Sequence, residues 1–172
     1  MTISSGQKIK SSEVLQITKA EQVYTGTGFN SSQSGAGVNT VSYEPSSIAA
    51  SKLVDANYIR ISITATHQIQ GNRQGHYTSI IIESKEISGA YSTSLAEKNM
   101  ITGIGGGVSF SPANGITDTK TFVYYHTLTA GEKSNGVQLK LTSNSGVQND
   151  GSSSPGQTAS FTNIQTVIEV VP

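Results

Sequence analysis

The stretch Tyr58–Gln70, which reads YIRISITATHQIQ, decides the fold class of this chain. From Ile59 onward every second residue is apolar except His67, and the residues between them are Arg, Ser, Thr and Gln. Successive side chains of a β-strand point to opposite faces, so this period of two predicts a strand with one buried face. His67 falls in the buried phase of that strand.

The same alternation predicts further strands, while helix signals are scarce. Strands are predicted at 76–87, 120–129, 136–142 and 160–171, with weaker candidates at 14–24, 38–43 and 107–110. A short helical segment is predicted at 94–100, where Ser94 is a candidate N-cap, and 46–55 is predicted to be either a turn of helix or an irregular crossing. Two connections rich in Ser, Gly and Asn, 25–37 and 143–157, are predicted to be surface loops. About eight short strands with little helix are typical of an antiparallel β-sandwich or barrel.

The chain is predicted to form one domain, because no internal repeat or linker divides it. We place that domain at 13–172. Residues 1–12 are polar, and we expect them to form a flexible N-terminal arm that orders only against a partner. The first residues contain no apolar run of signal-peptide length, and no window approaches the ~18–20 apolar residues of a membrane span. We therefore expect neither a secretion signal nor a membrane partner.

The composition excludes several classes of partner and chemistry. The 172 residues include 11 Lys and Arg against 11 Asp and Glu, with no Cys. This balance provides no basic surface for nucleic acid, and the lack of Cys excludes disulfides, thiolate catalysis and Cys-based zinc sites. Charged residues make up only 13% of the chain, while Ser and Thr, 26 and 19 in number, make up a quarter. The hydrophobic share of 34% is low for a lone sandwich of this size, which favours an oligomer.

The three histidines are the first candidates for chemistry. His67 and His126 lie in the inward phases of predicted strands and His76 begins another, so the three could bind a metal if they converged. We favour a structural role, because a buried histidine needs only one hydrogen-bond partner, and we expect no cofactor. If His67 and His126 line a symmetry axis, protonation near pH 6 is expected to loosen the assembly.

Other catalytic patterns are weak. Glu83 and Glu86 lie on opposite phases of one predicted strand, so they cannot face each other across a cleft as a glycosidase pair does. The nucleophile-elbow pattern G-x-S-x-G is absent from the sequence. The glycine run at 103–107 lacks the Gly-Lys-Ser/Thr ending of a phosphate-binding loop. We therefore predict that the protein is not an enzyme.

Several segments together resemble a family of viral proteins. They are VLQ at 14–16, the stretch from PSS at 45–47 to SKL at 51–53, TFVYYH at 121–126, GVQLK at 136–140 and TVIEV at 166–170. Their layout over roughly 12–171 is similar to small jelly-roll proteins on the virions of tailed bacteriophages, which include capsid decoration proteins, head fibres and tail-fibre heads. The resemblance implies a jelly-roll sandwich that packs as a homotrimer around a threefold axis, similar to tumour-necrosis-factor-like domains.

This resemblance implies a non-enzymatic structural protein of the virion surface, assembled in the host cytoplasm and released by lysis. Only about a dozen residues precede the first predicted strand, which favours a decoration or cement protein, or a fibre tip, over a complete fibre. The implied partners are further copies of the chain and the major capsid protein or another virion structural protein. The attachment region is expected within the first 24 residues, with Ile3, Lys8, Ile9, Lys10, Val14 and Leu15 as its candidates.

The remaining candidate residues concern the trimer and a receptor. His67, Tyr124 and His126 are predicted to lie in the trimer core, near its axis. Phe29, Asn30, Asn149 and Asp150 are predicted to lie on receptor-facing loops. The alternative function is a receptor- or glycan-binding tail-fibre tip or lectin-like module, which would bind a host-surface glycan through exposed aromatic, amide and hydroxyl groups. The aromatic candidates for this role are Tyr24, Phe29, Tyr43, Tyr77 and Tyr91.

Overall fold

Two antiparallel sheets form the fold in a computed structural model, which describes residues 20–70, 77–92, 96–101, 116–147 and 158–172. Sheet A contains β1 (Glu21–Thr27), β2 (Ser31–Ser34), β4 (Tyr58–Gln70), β7 (Ile116–Thr127) and β9 (Thr158–Val171). Sheet B contains β3 (Gly37–Tyr43), β5 (Tyr77–Glu86), β6 (Ala96–Ile101) and β8 (Val137–Val147). A 3-10 helix at Ala50–Lys52 and helix α1 at Ala130–Asn135 complete the described elements. No helix in these ranges is both long and apolar enough to cross a bilayer.

The order of the strands is that of a jelly roll. Sheet A runs β1-β9-β4-β7, with β2 pairing on β9, and sheet B runs β3-β8-β5-β6. Strands far apart in the chain pair in a nested series, β1 with β9, β3 with β8, β4 with β7 and β5 with β6. Rolling such a nested antiparallel ribbon on itself gives the two four-stranded sheets of a jelly roll. The predicted antiparallel jelly-roll sandwich is therefore confirmed.

The core lies between the sheets and follows the alternation seen in the sequence. Ile59, Ile61 and Ile63 of β4 are fully buried, and Ile80 and Ile82 of β5 face them from sheet B. Burying one such side chain contributes roughly 1.5–3 kcal/mol. Strand β4 has exactly the bounds that its period of two predicts, because its pattern is continuous and its inward face is entirely covered.

The two predicted surface loops are partly strand, and this is a correction. Strand β2 falls within 25–37, and β8 continues past the predicted end at 142 as far as Val147. The inward-facing serine hydroxyls of these two strands are buried, and each has a hydrogen-bond partner within the core. Ser31 Oγ lies 2.8 Å from Ser145 Oγ, Ser145 Oγ donates to the Ser31 carbonyl at 3.1 Å, and Ser143 Oγ donates to the Phe29 carbonyl. A serine-rich segment therefore enters the core because its polar groups find partners there.

The helix predicted at 94–100 is wrong, because this segment contains β6, which pairs with β5. Ladder hydrogen bonds to a neighbouring strand outweigh the weak helical preference of so short a segment. Helix α1 was not predicted, although Thr129 and Glu132 have the spacing of a capping box. Thr129 Oγ1 accepts from the Glu132 amide at 3.1 Å, and Glu132 Oε2 accepts from the Thr129 amide at 2.9 Å. Of the two alternatives for 46–55, a turn of helix or an irregular crossing, the structure has the helical turn, which is the 3-10 helix. The predicted strand at 107–110 and the arm at 1–12 lie outside the described residues.

Candidate interaction surface and cleft

The outer face of sheet A carries exposed apolar side chains at the end where β4 begins. Tyr58, Val123 and Tyr125 point away from the core and are 41%, 49% and 61% exposed. The register of β4 and β7 places Tyr125 beside Arg60 and Val123 beside Ser62. The half-buried valines of β9 continue these rows across the sheet. We define the apolar half of this face as Tyr58, Val123, Tyr125, Val167 and Val171.

An ion pair lies within the apolar half. Arg60 Nη2 is 2.6 Å from Glu169 Oε2, and Arg60 Nε donates to the same oxygen at 2.6 Å. The hydrogen bond to Glu169, and after it the hydrogen bond to Tyr125, raise the pKa of the Arg60 guanidinium. The two charges neutralise each other, so the surface around them is apolar and uncharged.

The other half of the same face carries hydroxyl groups. Thr64 and Thr121 face each other across β4 and β7 with their oxygens 2.8 Å apart, and Thr66 and Thr119 do so at 3.0 Å. Cross-strand threonine pairs of this kind contribute a few tenths of a kcal/mol to about 1 kcal/mol each. The outer face is thus divided into a hydroxyl half and an apolar half.

A cleft of about 310 Å³ opens between α1 and the segment that follows β5. Ser84, Ser92, His126 and Glu132 line it. His126 Nε2 lies 2.8 Å from Glu132 Oε1 and 3.0 Å from Oε2, and both side chains are buried. The capping-box hydrogen bond from the Thr129 amide also ends on this carboxylate. The pair therefore fastens α1 to β7.

The Glu132 carboxylate is fully occupied by these contacts. Burial raises its pKa, but hydrogen bonds from the Thr129 amide, from His126 and from Ser84 lower it more, so the net pKa lies below the usual value. His126 Nε2 and the Thr129 amide both bond the Glu132 carboxylate, and through these contacts the pair acts as a structural clasp that holds α1 against β7.

His67 and His126 lie far apart in the fold. In the register of β4 and β7, His67 lies opposite Asp118, and His126 lies opposite Ile59. Ile59 and His67 are eight residues apart on β4, which is roughly 26 Å at about 3.3 Å per residue. Within the described ranges no three metal-binding side chains come together. The possibility of a metal site shared by His67 and His126 is therefore wrong. His76 lies outside the described residues.

His67 is fully buried, yet both of its ring nitrogens lack a hydrogen-bond partner in the described part of the chain. The nearest charge is Asp118, whose Oδ2 lies 3.8 Å from His67 Nε2. Burial, and after it the charge of Lys120, lower the pKa of His67, while Asp118 opposes this effect. His67 differs in this respect from His126, which has the single partner expected of a structural histidine.

The three residues predicted for the trimer core face the interior of this chain. His67 and His126 are buried, and Tyr124 is half-buried on the same phase of β7 as His126. Burial raises the pKa of Tyr124 to about 12, and its hydroxyl has no partner within the described ranges. Their role at a trimer axis stays a prediction.

Phe29 is not a receptor-facing residue, which corrects the prediction for it. Its ring is 6% exposed and belongs to the core, and its φ of 47° turns the chain from β1 towards β2. Asn30 is exposed, and its Oδ1 accepts from the Ile164 amide at 3.3 Å. The other two receptor candidates, Asn149 and Asp150, lie outside the described residues.

The tyrosines proposed for glycan binding are engaged within the fold. The Tyr24 hydroxyl donates to the Tyr43 hydroxyl at 2.9 Å. Tyr77 covers Gly146 so closely that a Cβ there would lie 2.2 Å from its ring. The ring of Tyr91 lies beneath two ammonium groups, with Lys85 Nζ 4.7 Å and Lys140 Nζ 4.6 Å from its centroid. The exposed tyrosines are instead Tyr58 and Tyr125.

The apolar half of sheet A was not predicted, although the sequence contains a signal for it. His126 falls in the inward phase of the strand predicted at 120–129, so the same alternation places Val123 and Tyr125 in the outward phase. Neighbouring bulky apolar residues on the solvent phase of a strand indicate a surface that a partner covers. The six attachment candidates, Ile3, Lys8, Ile9, Lys10, Val14 and Leu15, lie outside the described residues.

Comparisons with known proteins were made by sequence and by structure. No family model matches the sequence, and no curated protein matches it. Solved structures of infectious bursal disease virus are similar in fold: for the Gx strain the identity is 14% over 89% of this chain, with a TM-score of 0.46. For the Gt strain the identity is 13% over 90% of this chain, with a TM-score of 0.41. For the VP2 subviral particle the identity is 13% over 86% of this chain, with a TM-score of 0.42. This chain spans about a third of the length of each, 32% in all three cases.

Proposed function

We propose that this chain is a non-enzymatic structural protein of a virion surface, a homotrimeric decoration, cement or fibre-type protein attached through its N-terminal region. The observation that carries the proposal is the nested jelly-roll pairing of the strands. It is the fold implied by the resemblance of the sequence to bacteriophage virion proteins. Fold alone does not define function, so the competing uses of a jelly roll have to be weighed by their sites.

Jelly rolls also serve as cupins and lectins. A cupin-like enzyme needs metal-binding side chains that converge inside the roll, whereas His67 and His126 lie at opposite ends of their strands. The buried His126–Glu132 pair is a clasp for α1, and its carboxylate already accepts several hydrogen bonds. These arrangements support a structural role over catalysis.

A glycan-binding module is the alternative. Its predicted aromatic residues are occupied, because Phe29 is in the core and Tyr24 bonds Tyr43. Among the residues that the structure describes, the exposed tyrosines are Tyr58 and Tyr125, and they lie in an apolar surface around an internal ion pair. Such a surface fits a protein partner better than a hydrated sugar.

The proposal is tested on particles purified from a lysate of the host that encodes the chain. We expect mass spectrometry to find the protein in the particle fraction after density-gradient centrifugation, and antibody labelling to place it on the particle surface. Isolated protein should have the mass of three chains in light scattering. Absence of the chain from purified particles would overturn the virion role.

A further inference from the structure

The outer face of sheet A has an area that suits a protein interface. Strands β1, β9, β4 and β7 have 7, 14, 13 and 12 residues, and at ~3.3 Å per residue and about 4.8 Å between strands they give a face of roughly 730 Å². A stable interface of standard size takes about 800 Å² from each partner. The apolar half accounts for about half of this face, which is the size of an apolar patch that is often functional on a monomer, and a contact of standard size would extend from it over the β7 edge.

The charges on this face favour a partner that is itself neutral. Arg60 and Glu169 satisfy each other, and the remaining residues of the apolar half carry no charge. A cationic or anionic partner would gain nothing from such a surface. A second copy of the chain matches it, because each copy presents the same exposed apolar residues around the same neutralised ion pair.

Strand β7 adds a second reason. Among the described residues β7 pairs with β4 alone, so it forms the edge of sheet A, and Val123 and Tyr125 lie on it. An uncovered edge with apolar side chains is prone to uncontrolled association, and symmetric assembly is a common way to cover it. The edge and the apolar half adjoin, so one contact covers both.

We propose that a second copy of this chain covers the apolar half of the outer face of sheet A, with Val123 and Tyr125 at the centre of the contact. This rests on the proposed self-assembling role and gives the interface of that assembly. This contact lies on the opposite phase of β7 from Tyr124 and His126, so the proposed interface replaces the predicted trimer core at His67, Tyr124 and His126, which their own chain covers.

The test uses the double variant Val123→Thr with Tyr125→Ser in the full chain. Both replacements resemble the hydroxyl residues that already occupy the other half of the face, so the strand pattern is kept. The control is Val38→Thr, at a valine that is 55% exposed and lies on β3 of the opposite sheet. Sedimentation velocity over a range of concentrations measures association, and near-ultraviolet circular dichroism checks the fold.

We expect wild type and control to associate with equal affinity, and the double variant to associate at least about tenfold more weakly, because large side chains at the centre of a contact contribute most of its energy. A double variant that associates like wild type would overturn this interface while leaving the structural role intact. A wild type that is monomeric at every concentration would overturn self-assembly, whereas virion membership is decided separately by the particle fraction.

A second measurement does not depend on the double variant folding. The chain has no Cys, so Ser62→Cys places a single thiol within the apolar half, and Thr40→Cys places one on the outer face of sheet B. We expect a maleimide to label the thiol at 62 several-fold more slowly at high protein concentration than at low concentration, with no change for the thiol at 40. Equal labelling of the thiol at 62 at both concentrations would overturn the proposal, because the face would then be open or covered by a different partner.

Discussion

Acidification is expected to destabilise this protein through His67. The imidazole is fully buried, its nitrogens have no hydrogen-bond partner among the described residues, and Asp118 is too far away to form one. Burial lowers the pKa of His67 in the folded state, so the folded chain binds this proton less readily than the unfolded chain. As pH falls below the unfolded value of about 6.5, protons therefore favour the unfolded state.

The size of the effect follows from proton linkage. The free energy of unfolding falls by at most about 1.4 kcal/mol for each pH unit, so the loss between neutral pH and pH 5.5 is at most about 1.3 kcal/mol. For a chain of this size that upper bound corresponds to a melting temperature lower by roughly 3–5 °C. The loss stops once pH falls below the folded-state pKa, because both states are then protonated.

Thermal unfolding followed by circular dichroism at pH 7.5, 6.5 and 5.5 measures this loss at a fixed protein concentration. His67→Leu is the matched variant, because it keeps a buried side chain of similar volume without a titrating group. We expect the difference between wild type and His67→Leu to grow in favour of the variant as pH falls. Parallel melting curves over the whole range would refute the reasoning, because every other titrating group is common to both proteins.

Three further outcomes are expected. Glu132→Gln weakens the hydrogen bond to His126 and should lower the free energy of unfolding in urea by about 1.5–3 kcal/mol at pH 7. The difference between wild type and variant should narrow as pH falls through the lowered pKa of Glu132, because the wild-type carboxylate is then also uncharged. Ser145→Ala leaves the buried Ser31 hydroxyl without its side-chain partner and should lower the free energy of unfolding by about 1–3 kcal/mol. The double variant Ser31→Ala with Ser145→Ala should lower it by less than the sum of the two single variants. Deletion of 1–12 should abolish binding to particles in a co-sedimentation assay and leave the oligomer mass unchanged; retained binding would exclude the arm as the attachment site.

Periodicity predicted the fold where one phase of a strand is apolar throughout. Strand β4 has its predicted bounds because Ile59, Ile61 and Ile63 leave no ambiguity about the buried face. The same reasoning did not predict that Ser31 and Ser145 are buried, because serine counts as a polar residue in an alternation pattern. The hydrogen-bond partner that allows each serine to be buried comes from the opposite sheet. Propensity reasoning failed for β6 because pairing with β5 is a long-range contact.

The candidate surface was predictable only in part. The alternation placed Val123 and Tyr125 on the outward phase, but the neighbouring Tyr58 and the Arg60–Glu169 pair became visible only with the register of sheet A. The separation of His67 from His126 also depends on register, which no local pattern contains. The start of α1, and with it the position of Glu132, could have been predicted from the local sequence, since Thr129 and Glu132 have the capping-box spacing.

The place of β9 within sheet A has a consequence for the timing of folding. This strand lies between β1 and β4, yet it is the last of the described strands to be synthesised. While a ribosome is still translating the segments before it, β1 and β4 have no common neighbour, and the side chains of Phe161, Ile164 and Ile168 are missing from the core. Contacts between such distant segments form slowly, because a long loop has to close first. The nascent chain therefore stays open until β9 has left the ribosome, and a subunit can join an assembly only after its own synthesis has passed that strand.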